Sequence, residues 1–172
     1  MARLRNSSDF NLDLLPVLDV AIGMTGADMG TLQRYDGSTD QLILVASRGF
    51  SSETLSFFSV VRRDTSSTCA AALARRMRVF VQDISTSYLF VGTRELDVLS
   101  ANGVAAVQST PLISSNGRFC GVLSTHFRKM QPENAFDYAP LDRFAVQIAD
   151  SLEHREGLTP SRQATRIPDR GD

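Results

Sequence analysis

The sequence predicts an α+β domain with a central antiparallel sheet and helices on both faces. Three observations support this class: two strand–turn–strand segments lie far apart in the chain, an amphipathic helix lies near each end, and an irregular segment separates the two hairpins. Strands joined by tight turns pair antiparallel. The terminal helices can then cover one face of the sheet, and the irregular segment, residues 51–103, has to cover the other.

Size and charge are those of a single globular domain. The chain has 172 residues, of which 42% are hydrophobic and 22% are charged, enough for a core of its own. A formal net charge of −1 gives no electrostatic reason to expect nucleic acid or a membrane surface as a partner. No apolar run approaches the roughly 20 residues of a membrane span, and residues 1–11 lack the apolar core of a secretory signal. We therefore expect a cytoplasmic protein.

The first elements are a helix and a hairpin. Residues 10–24 place apolar side chains at helical spacing, and Pro16 marks either the start of this helix or a bend in its first turn. Strands are predicted at residues 29–35 and 41–47, and the Asp-Gly pair between them favours a tight hairpin.

Short helices are predicted in the middle segment, starting near residues 51, 67 and 93, with one strand at residues 79–81. Ser51 or Ser52 can cap the first of these helices, and Ser67 or Thr68 the second, because their hydroxyls can accept bonds from free backbone N–H groups. The last helix, residues 141–152, carries a single apolar stripe. We expect a lead over residues 1–9, the domain over 10–156, and a flexible tail or linker over 157–172, which is polar and contains two prolines.

The second hairpin, residues 105–113 and 119–127, is unusual because polar residues occupy the centre of both strands. Asn116-Gly117 lies between the strands and predicts a type I′ turn, which requires positive φ at both residues. By strand alternation, His126 should share a face with Cys120, Val122 and Ser124. The central polar side chains either satisfy one another locally or line a cavity. They are Gln108, Ser109, Thr110, Ser124, Thr125 and His126.

Three blocks of this sequence resemble a GAF domain. They are ADMGTLQ at residues 27–33 with Tyr35-Asp36, CAAAL at 69–73 followed by VFVQD at 79–83, and STPL at 109–112 followed by GVLS at 121–124. The blocks come in the family's order, and the likeness covers residues 10–156.

The resemblance implies a GAF-like (profilin-like) sheet of about six strands, with a small molecule bound between the sheet and the central helices. It also implies a sensory role without enzymatic activity. The expected partners are an unidentified small-molecule ligand, a second copy bound through the first and last helices, and a histidine kinase or response regulator. The sequence names no cofactor.

The candidate ligand-binding residues combine hydroxyl groups, aromatic rings, a carboxylate and a thiol. His126 could coordinate haem in a sensor of this kind, but a strand histidine is more often a hydrogen-bonded structural residue. Ser109 and Ser124 could line the pocket or bond to neighbouring groups across the strands. Asp83 could hold a ligand, although capping of the following turn is favoured. The full set is Thr31, Phe57, Cys69, Asp83, Tyr88, Ser109, Ser124 and His126.

Catalytic and metal-binding functions lack the residues they need, so neither kind of site is predicted. Cys69 and Cys120 are too few and too far apart for a zinc site, and their neighbours in sequence are small or apolar. Sulfoxide reductases that resemble GAF domains place a reactive cysteine before the strand that matches residues 109–113. Residues 102–108 contain no cysteine. Two alternatives stay open: a ligand-free dimerisation module, and a thiol-dependent methionine sulfoxide reductase that uses Cys69 or Cys120.

Overall fold

The computed structural model describes residues 8–132 and 134–157. The predicted lead over residues 1–9 and tail over 157–172 lie almost entirely outside this part of the chain, so both stay predictions. The elements in chain order are α1 (Ser8–Thr25), β1 (Met29–Asp36), β2 (Gln41–Arg48), α2 (Ser52–Phe57), β3 (Val60–Val61), α3 (Thr68–Arg75), β4 (Val79–Val81), α4 (Arg94–Ala101), β5 (Ala106–Ile113), β6 (Phe119–Phe127) and α5 (Ala139–Gly157).

A six-stranded sheet in the order β3-β2-β1-β6-β5-β4 forms the centre of the fold. Every pair of neighbouring strands is antiparallel, and the pairing of β1 with β6 joins the two hairpins. The predicted α+β class and the sheet of about six strands are therefore confirmed. Strand β3 was not predicted, because two residues paired with Leu42 and Ile43 leave no alternating pattern in the sequence.

The two faces of the sheet carry different elements. Helices α1 and α5 cover one face, where their apolar side chains pack against Leu32, Leu112 and Leu123 of the sheet. Two further clusters lie on the opposite face, one containing residues of α3 and the other containing Phe90 and Leu99. The terminal helices and the middle segment thus occupy the two faces that the sequence assigned to them.

Helix α1 continues through Pro16, which is neither its start nor a bend in its first turn as predicted. The helix already begins at Ser8, eight residues earlier. Proline removes one backbone hydrogen bond from a helix interior. Leu14 and Leu18, on either side of Pro16, are both buried in the core beneath the helix. This packing holds the helix together across the proline.

The turn between β5 and β6 is a hairpin turn, but it is not the predicted type I′. Gly117 has φ of 81°, whereas Asn116 is not among the residues with positive φ. The Gly117 N–H donates to the Ser114 carbonyl at 2.8 Å, and the Ser114 N–H donates to the Arg118 carbonyl at 2.8 Å. This is the three-residue hairpin loop in which one left-handed glycine follows an ordinary turn.

A bulge in β6 changes the face on which Cys120 lies. Leu112 pairs with Gly121 and the next residue, Ile113, pairs with Phe119, so Cys120 is the extra residue on β6. Its side chain packs in the cluster beneath α1 and α5, while Val122 packs with α3 on the other face. The prediction that Cys120 shares a face with His126 was therefore wrong, because strict alternation fails at a bulge.

Candidate ligand-binding site

A small cavity lies between the sheet and the short helices of the middle segment. Its water-accessible volume is about 30 Å³. This is room for one or two water molecules, and it is far below the roughly 300 Å³ at which drug-sized sites begin. The cavity floor, on the sheet, consists of Thr31, Gln33, Leu44, Val107 and His126; the cavity roof consists of Phe50, Thr54, Leu55, Phe58, Ser67, Thr68, Phe90 and Leu99.

Two polar atoms of the cavity floor have no hydrogen-bond partner among the described residues. They are the side-chain oxygen Oε1 of Gln33 and the ring nitrogen Nδ1 of His126. Both side chains are deeply buried, with 1% and 5% of their surface exposed. Leaving such a group unpaired costs about 1–3 kcal/mol, and most buried polar groups in proteins do have partners. The pair therefore makes the cavity the candidate site for a hydrogen-bonding occupant.

His126 is a neutral group at this site. Burial lowers the pKa of its imidazole to about 3, because the apolar surroundings disfavour the charged form. Its ring meets Phe50 edge to face, with ring centroids 4.9 Å apart. A neutral imidazole has one donor and one acceptor nitrogen, so His126 can offer either function to an occupant.

Cys69, Ser109 and Ser124 form a buried cluster next to the cavity rather than part of its lining. The Cys69 Sγ atom lies 3.2 Å from Ser124 Oγ and 3.7 Å from Ser109 Oγ. The two serine hydroxyls are 2.7 Å apart, and Ser109 donates to Thr68 Oγ1 at 2.8 Å. Burial raises the pKa of the Cys69 thiol, which disfavours the reactive thiolate. Thr68 belongs to both the cluster and the cavity roof.

The capping residue predicted for α3 positions two groups of the cavity roof. The Ser67 hydroxyl accepts a hydrogen bond from the Ala70 N–H at 3.1 Å, as an N-cap does. The cap fixes the first turn of α3, so Ser67 and Thr68 meet the cavity at the point where the helix begins.

Asn102 holds the cavity roof in place by joining α2 to the end of α4. Its side-chain amide donates to Thr54 Oγ1 and, at 3.0 Å, to the Val98 carbonyl. Its side-chain oxygen accepts from the Ser51 N–H at 3.2 Å. A sequence pattern does not reveal this role of Asn102, since its bonds to Ser51 and Thr54 span about fifty positions of the chain.

The predicted site residues lie at four places in the structure. Thr31 and His126 line the cavity, and the cysteine and two serines form the cluster beside it. Phe57 is absent from the lining and instead packs its ring against its neighbour Phe58, which is present there. Asp83 and Tyr88 line a separate surface pocket. Asp83 accepts from the backbone N–H and hydroxyl of Ser85, the turn-capping arrangement. Whether any of them binds a ligand stays a prediction.

Most of the lining was missing from the predicted set, and Gln33 is the missed residue that carries an unpartnered polar atom. A signal was present, because Gln33 lies two positions after Thr31 on a strand and therefore shares its face. It is also a polar residue that the strand buries almost completely.

The fold and the cavity define an α+β domain that encloses a small site between a sheet and short helices. The family model for the GAF domain matches residues 15–153 of the chain, which therefore belongs to the GAF domain family. The resemblance seen in the sequence is thus confirmed. No protein with a curated description matches the sequence.

Solved structures of known proteins share the fold at low sequence identity. A domain of a protein described as a two-component sensor histidine kinase from Sinorhizobium meliloti is 19% identical with a TM-score of 0.65, over 86% of this chain and 94% of that one. Free methionine-R-sulfoxide reductase from Neisseria meningitidis, solved with its substrate, is 19% identical with a TM-score of 0.64, over 90% and 84% of the two chains. The second GAF domain of DevS from Mycobacterium smegmatis is 16% identical with a TM-score of 0.59, over 88% and 96%.

The described residues contain neither a cluster of metal-ligating side chains nor a membrane-spanning helix. No group of three or more His, Cys, Asp or Glu side chains in that part of the chain is placed to hold a metal ion. None of the helices described there is long and apolar enough to cross a membrane.

Proposed function

We propose that this GAF domain is a non-enzymatic sensory module that binds a small molecule in the cavity and relays binding to a histidine kinase or response regulator. The observation that carries the proposal is the pair of buried polar atoms, Gln33 Oε1 and His126 Nδ1, on one cavity floor. An occupant that pairs with both atoms recovers part of the free energy that their burial costs. The shared fold of the Sinorhizobium meliloti histidine kinase domain supports a signalling output.

The relay would run through the sheet to the terminal helices. In β1, Thr31 and Gln33 line the cavity, while Leu32 between them packs in the cluster with α1 and α5. Strand β6 repeats the arrangement, since His126 lines the cavity and Leu123 packs beneath the helices. Neighbouring side chains of a strand share one backbone, so an occupant that displaces the cavity floor also shifts the helix contacts.

The state of the buried thiol supports the non-enzymatic part of the proposal. The hydrogen-bond contacts of the Cys69 thiol with other side chains are to the neutral hydroxyl groups of Ser109 and Ser124, and burial raises the pKa of the thiol. A nucleophilic cysteine needs a neighbouring cation or base that lowers this pKa. Cys120 is buried in the cluster beneath α1 and α5, on the face opposite the cavity.

Native mass spectrometry of the protein purified from its own cells tests the binding step. We expect a non-covalent small-molecule adduct on the wild type that is lost from the double variant Gln33→Leu, His126→Phe, because both hydrogen bonds to the occupant are removed. Gln82→Leu makes the same glutamine change at an exposed position and should keep the adduct. The proposal is rejected if the wild type carries no adduct and no compound of a metabolite library raises its Tm.

A second candidate function is dimerisation through α1 and α5, with or without a ligand. Val20 and Met24, one helical turn apart on α1, are 47% and 43% exposed, and Val146 on α5 is 39% exposed. Large apolar side chains that are exposed on neighbouring helices favour contact with a second copy. Dimerisation is also the arrangement that would let the terminal helices carry a signal to an attached effector.

The cellular location of the protein and the classes of partner it lacks are also part of this proposal. A cytoplasmic location, and the lack of nucleic-acid and membrane partners, stay predictions that rest on the composition of the chain.

A further inference from the structure

We propose that the occupant of the cavity is an uncharged, elongated molecule with a hydrogen-bonding group at each end, one for Gln33 and one for His126. This inference rests on the proposed function, because it describes the chemistry of the molecule that the same cavity would bind.

The lining of the cavity offers no opposite charge to a charged ligand. None of the described residues that line it is Asp, Glu, Lys or Arg, and the one titratable side chain among them is His126. The remaining polar groups of the lining are the hydroxyls of Thr31, Thr54, Ser67 and Thr68 and the amide of Gln33. An ion that enters such a site without an opposite charge loses several kcal/mol of hydration, which neutral hydroxyl and amide groups replace only in part.

The register of the sheet separates the two unpartnered atoms. His126 lies opposite Met29 of β1, and Gln33 lies four residues further along the same strand. Four residues of antiparallel strand span about 14 Å between Cα atoms. Thr31 stands between them on the same floor, opposite Ser124. The two side chains therefore start from well-separated positions, and a single occupant that pairs with both of them extends along β1.

The two ends also differ in the chemistry they require. Gln33 Oε1 is an acceptor, so the end of the ligand that meets it has to carry an N–H or O–H donor. The neutral His126 ring accepts or donates, according to its tautomer. The apolar part of the lining, which includes Phe50, Phe58, Phe90 and Val107, favours an apolar section in the same ligand.

An elongated ligand needs more room than the present cavity gives, and the roof is the part that can supply it. The floor side chains come from strands paired on both sides, whereas Phe50, Leu55 and Phe58 are only half-buried and lie in or beside the six-residue helix α2. Displacement of α2 would enlarge the cavity without breaking a pair of strands.

Four probes that share a linear six-carbon skeleton test the inference by NMR titration of the full chain. Adipamide is neutral and has an amide at each end, adipate is its dianion analogue, hexamethylenediammonium is a dication, and hexanamide is neutral with one amide. The signals to follow are the His126 imidazole and the Gln33 side-chain amide. We expect adipamide to shift both signals and to bind about tenfold more tightly than either charged probe.

The variant Gln33→Leu should remove the advantage of adipamide over hexanamide, while Gln82→Leu, at an exposed position, should preserve it. If adipate or the diammonium probe shifts these signals and binds as tightly as adipamide or more tightly, the inference that the ligand is uncharged is overturned. Binding in the cavity is not contradicted by that result. A shift at only one of the two signals overturns the two-ended ligand. If no probe shifts either signal the inference fails, whereas the proposed function fails only if native mass spectrometry and the metabolite library also find no ligand.

Discussion

At the scale of single residues, His126 links the cavity to the stability of the fold. Its imidazole is buried among Phe50, Val107 and Thr31, and burial lowers its pKa to about 3. The same histidine in an unfolded chain has its ordinary pKa of about 6.5. The unfolded chain therefore takes up a proton in a pH range where the folded protein does not, and acid favours unfolding.

The free energy of unfolding should fall by up to about 1.4 kcal/mol per pH unit as the pH drops from about 6.5 towards 3, through this histidine alone. Above pH 6.5 the imidazole is neutral in both states, so its contribution there is constant. Urea unfolding between about pH 7 and pH 4 measures the slope in the wild type and in His126→Gln.

The His126→Gln control separates the contribution of His126 to the pH dependence of stability from that of the carboxylates. Hydrogen bonds from Arg48 and Arg63 lower the pKa of Asp19 and Asp40, whose contributions to stability are also lost in acid. Those contributions are the same in both proteins and cancel in the difference. Equal slopes for the wild type and the variant would contradict the neutral, buried state of His126.

At the scale of elements, the sheet depends on the close approach of β6 to β1. Gly121 lies opposite Arg34 in the pairing of these strands. A Cβ atom at Gly121 would collide with the main-chain carbonyl of Gln33 and come within 3.2 Å of the Arg34 Cα atom. Neither contact is the end of a flexible side chain, so the backbone itself has to move.

Gly121→Ala should lower the free energy of unfolding by about 1–3 kcal/mol, since it overpacks a central strand pair. Gly23→Ala is the matched control, because a Cβ at that position in α1 meets nothing within 4 Å. Alanine favours a helix over glycine, so this control should gain up to about 1 kcal/mol. Chemical denaturation of the three proteins measures both effects, and a neutral Gly121→Ala would contradict the tight strand approach.

A second prediction concerns the attachment of α2 to α4. Asn102→Ala removes the side-chain bonds to Ser51 and Thr54 that hold α2. Because each lost hydrogen bond weakens the attachment by about 1 kcal/mol, amide exchange in α2 should become about tenfold faster or more. Exchange in β1 and β6 should not change.

Asn116→Ala serves as the control for this experiment, because Asn116 is an exposed asparagine whose side chain bonds to Glu153, far along the chain from α2. Hydrogen–deuterium exchange followed by mass spectrometry resolves α2 from the sheet. Unchanged exchange of α2 in Asn102→Ala would show that other contacts hold the cavity roof.

Much of the element structure could be predicted from sequence because its causes are local. The predicted capping hydroxyls of Ser51 and Ser67 start α2 and α3 in the structure, each accepting a bond from a backbone N–H three residues later. The turn residues likewise locate both hairpins, although Asn116-Gly117 indicated the wrong turn type. These signals act within four or five residues of chain, which is the range that a sequence pattern shows directly.

The candidate site was harder to predict because its causes are long-range. Whether Ser109 and Ser124 have partners depends on their pairing with each other and on Cys69, forty or more positions away. Whether the side-chain oxygen of Gln33 has a hydrogen-bond partner depends on the donors that every surrounding element places near it. The bulge at Cys120 is a further case, since no residue type marks it in the sequence.

At the scale of the whole molecule, α1 and α5 are the surface through which the domain would contact a second copy. Val20 and Met24 lie on the same side of α1 and are about half exposed. The double variant Val20→Lys, Met24→Lys should therefore shift a dimer to monomer, because it places like charges from the two copies against each other.

Sedimentation equilibrium measures this shift. Val91→Lys is the control, since Val91 is 56% exposed and lies in the segment that covers the opposite face of the sheet. It should leave the molecular mass in solution unchanged. A wild-type monomer at high micromolar concentration would reject dimerisation, and a dimer that only Val91→Lys dissociates would place the interface on the other face.

The separation of the cavity into floor and roof also bears on protein engineering. The cavity floor lies on strands at the centre of the sheet, where a substitution disturbs the pairing of the whole domain. Much of the cavity roof comes from short helices and the segments beside them, whose side chains contribute less to the packing of the terminal helices. Residues such as Leu55 and Phe58 are therefore the positions at which a library could retarget the domain as a biosensor while α1 and α5 keep their packing on the other face.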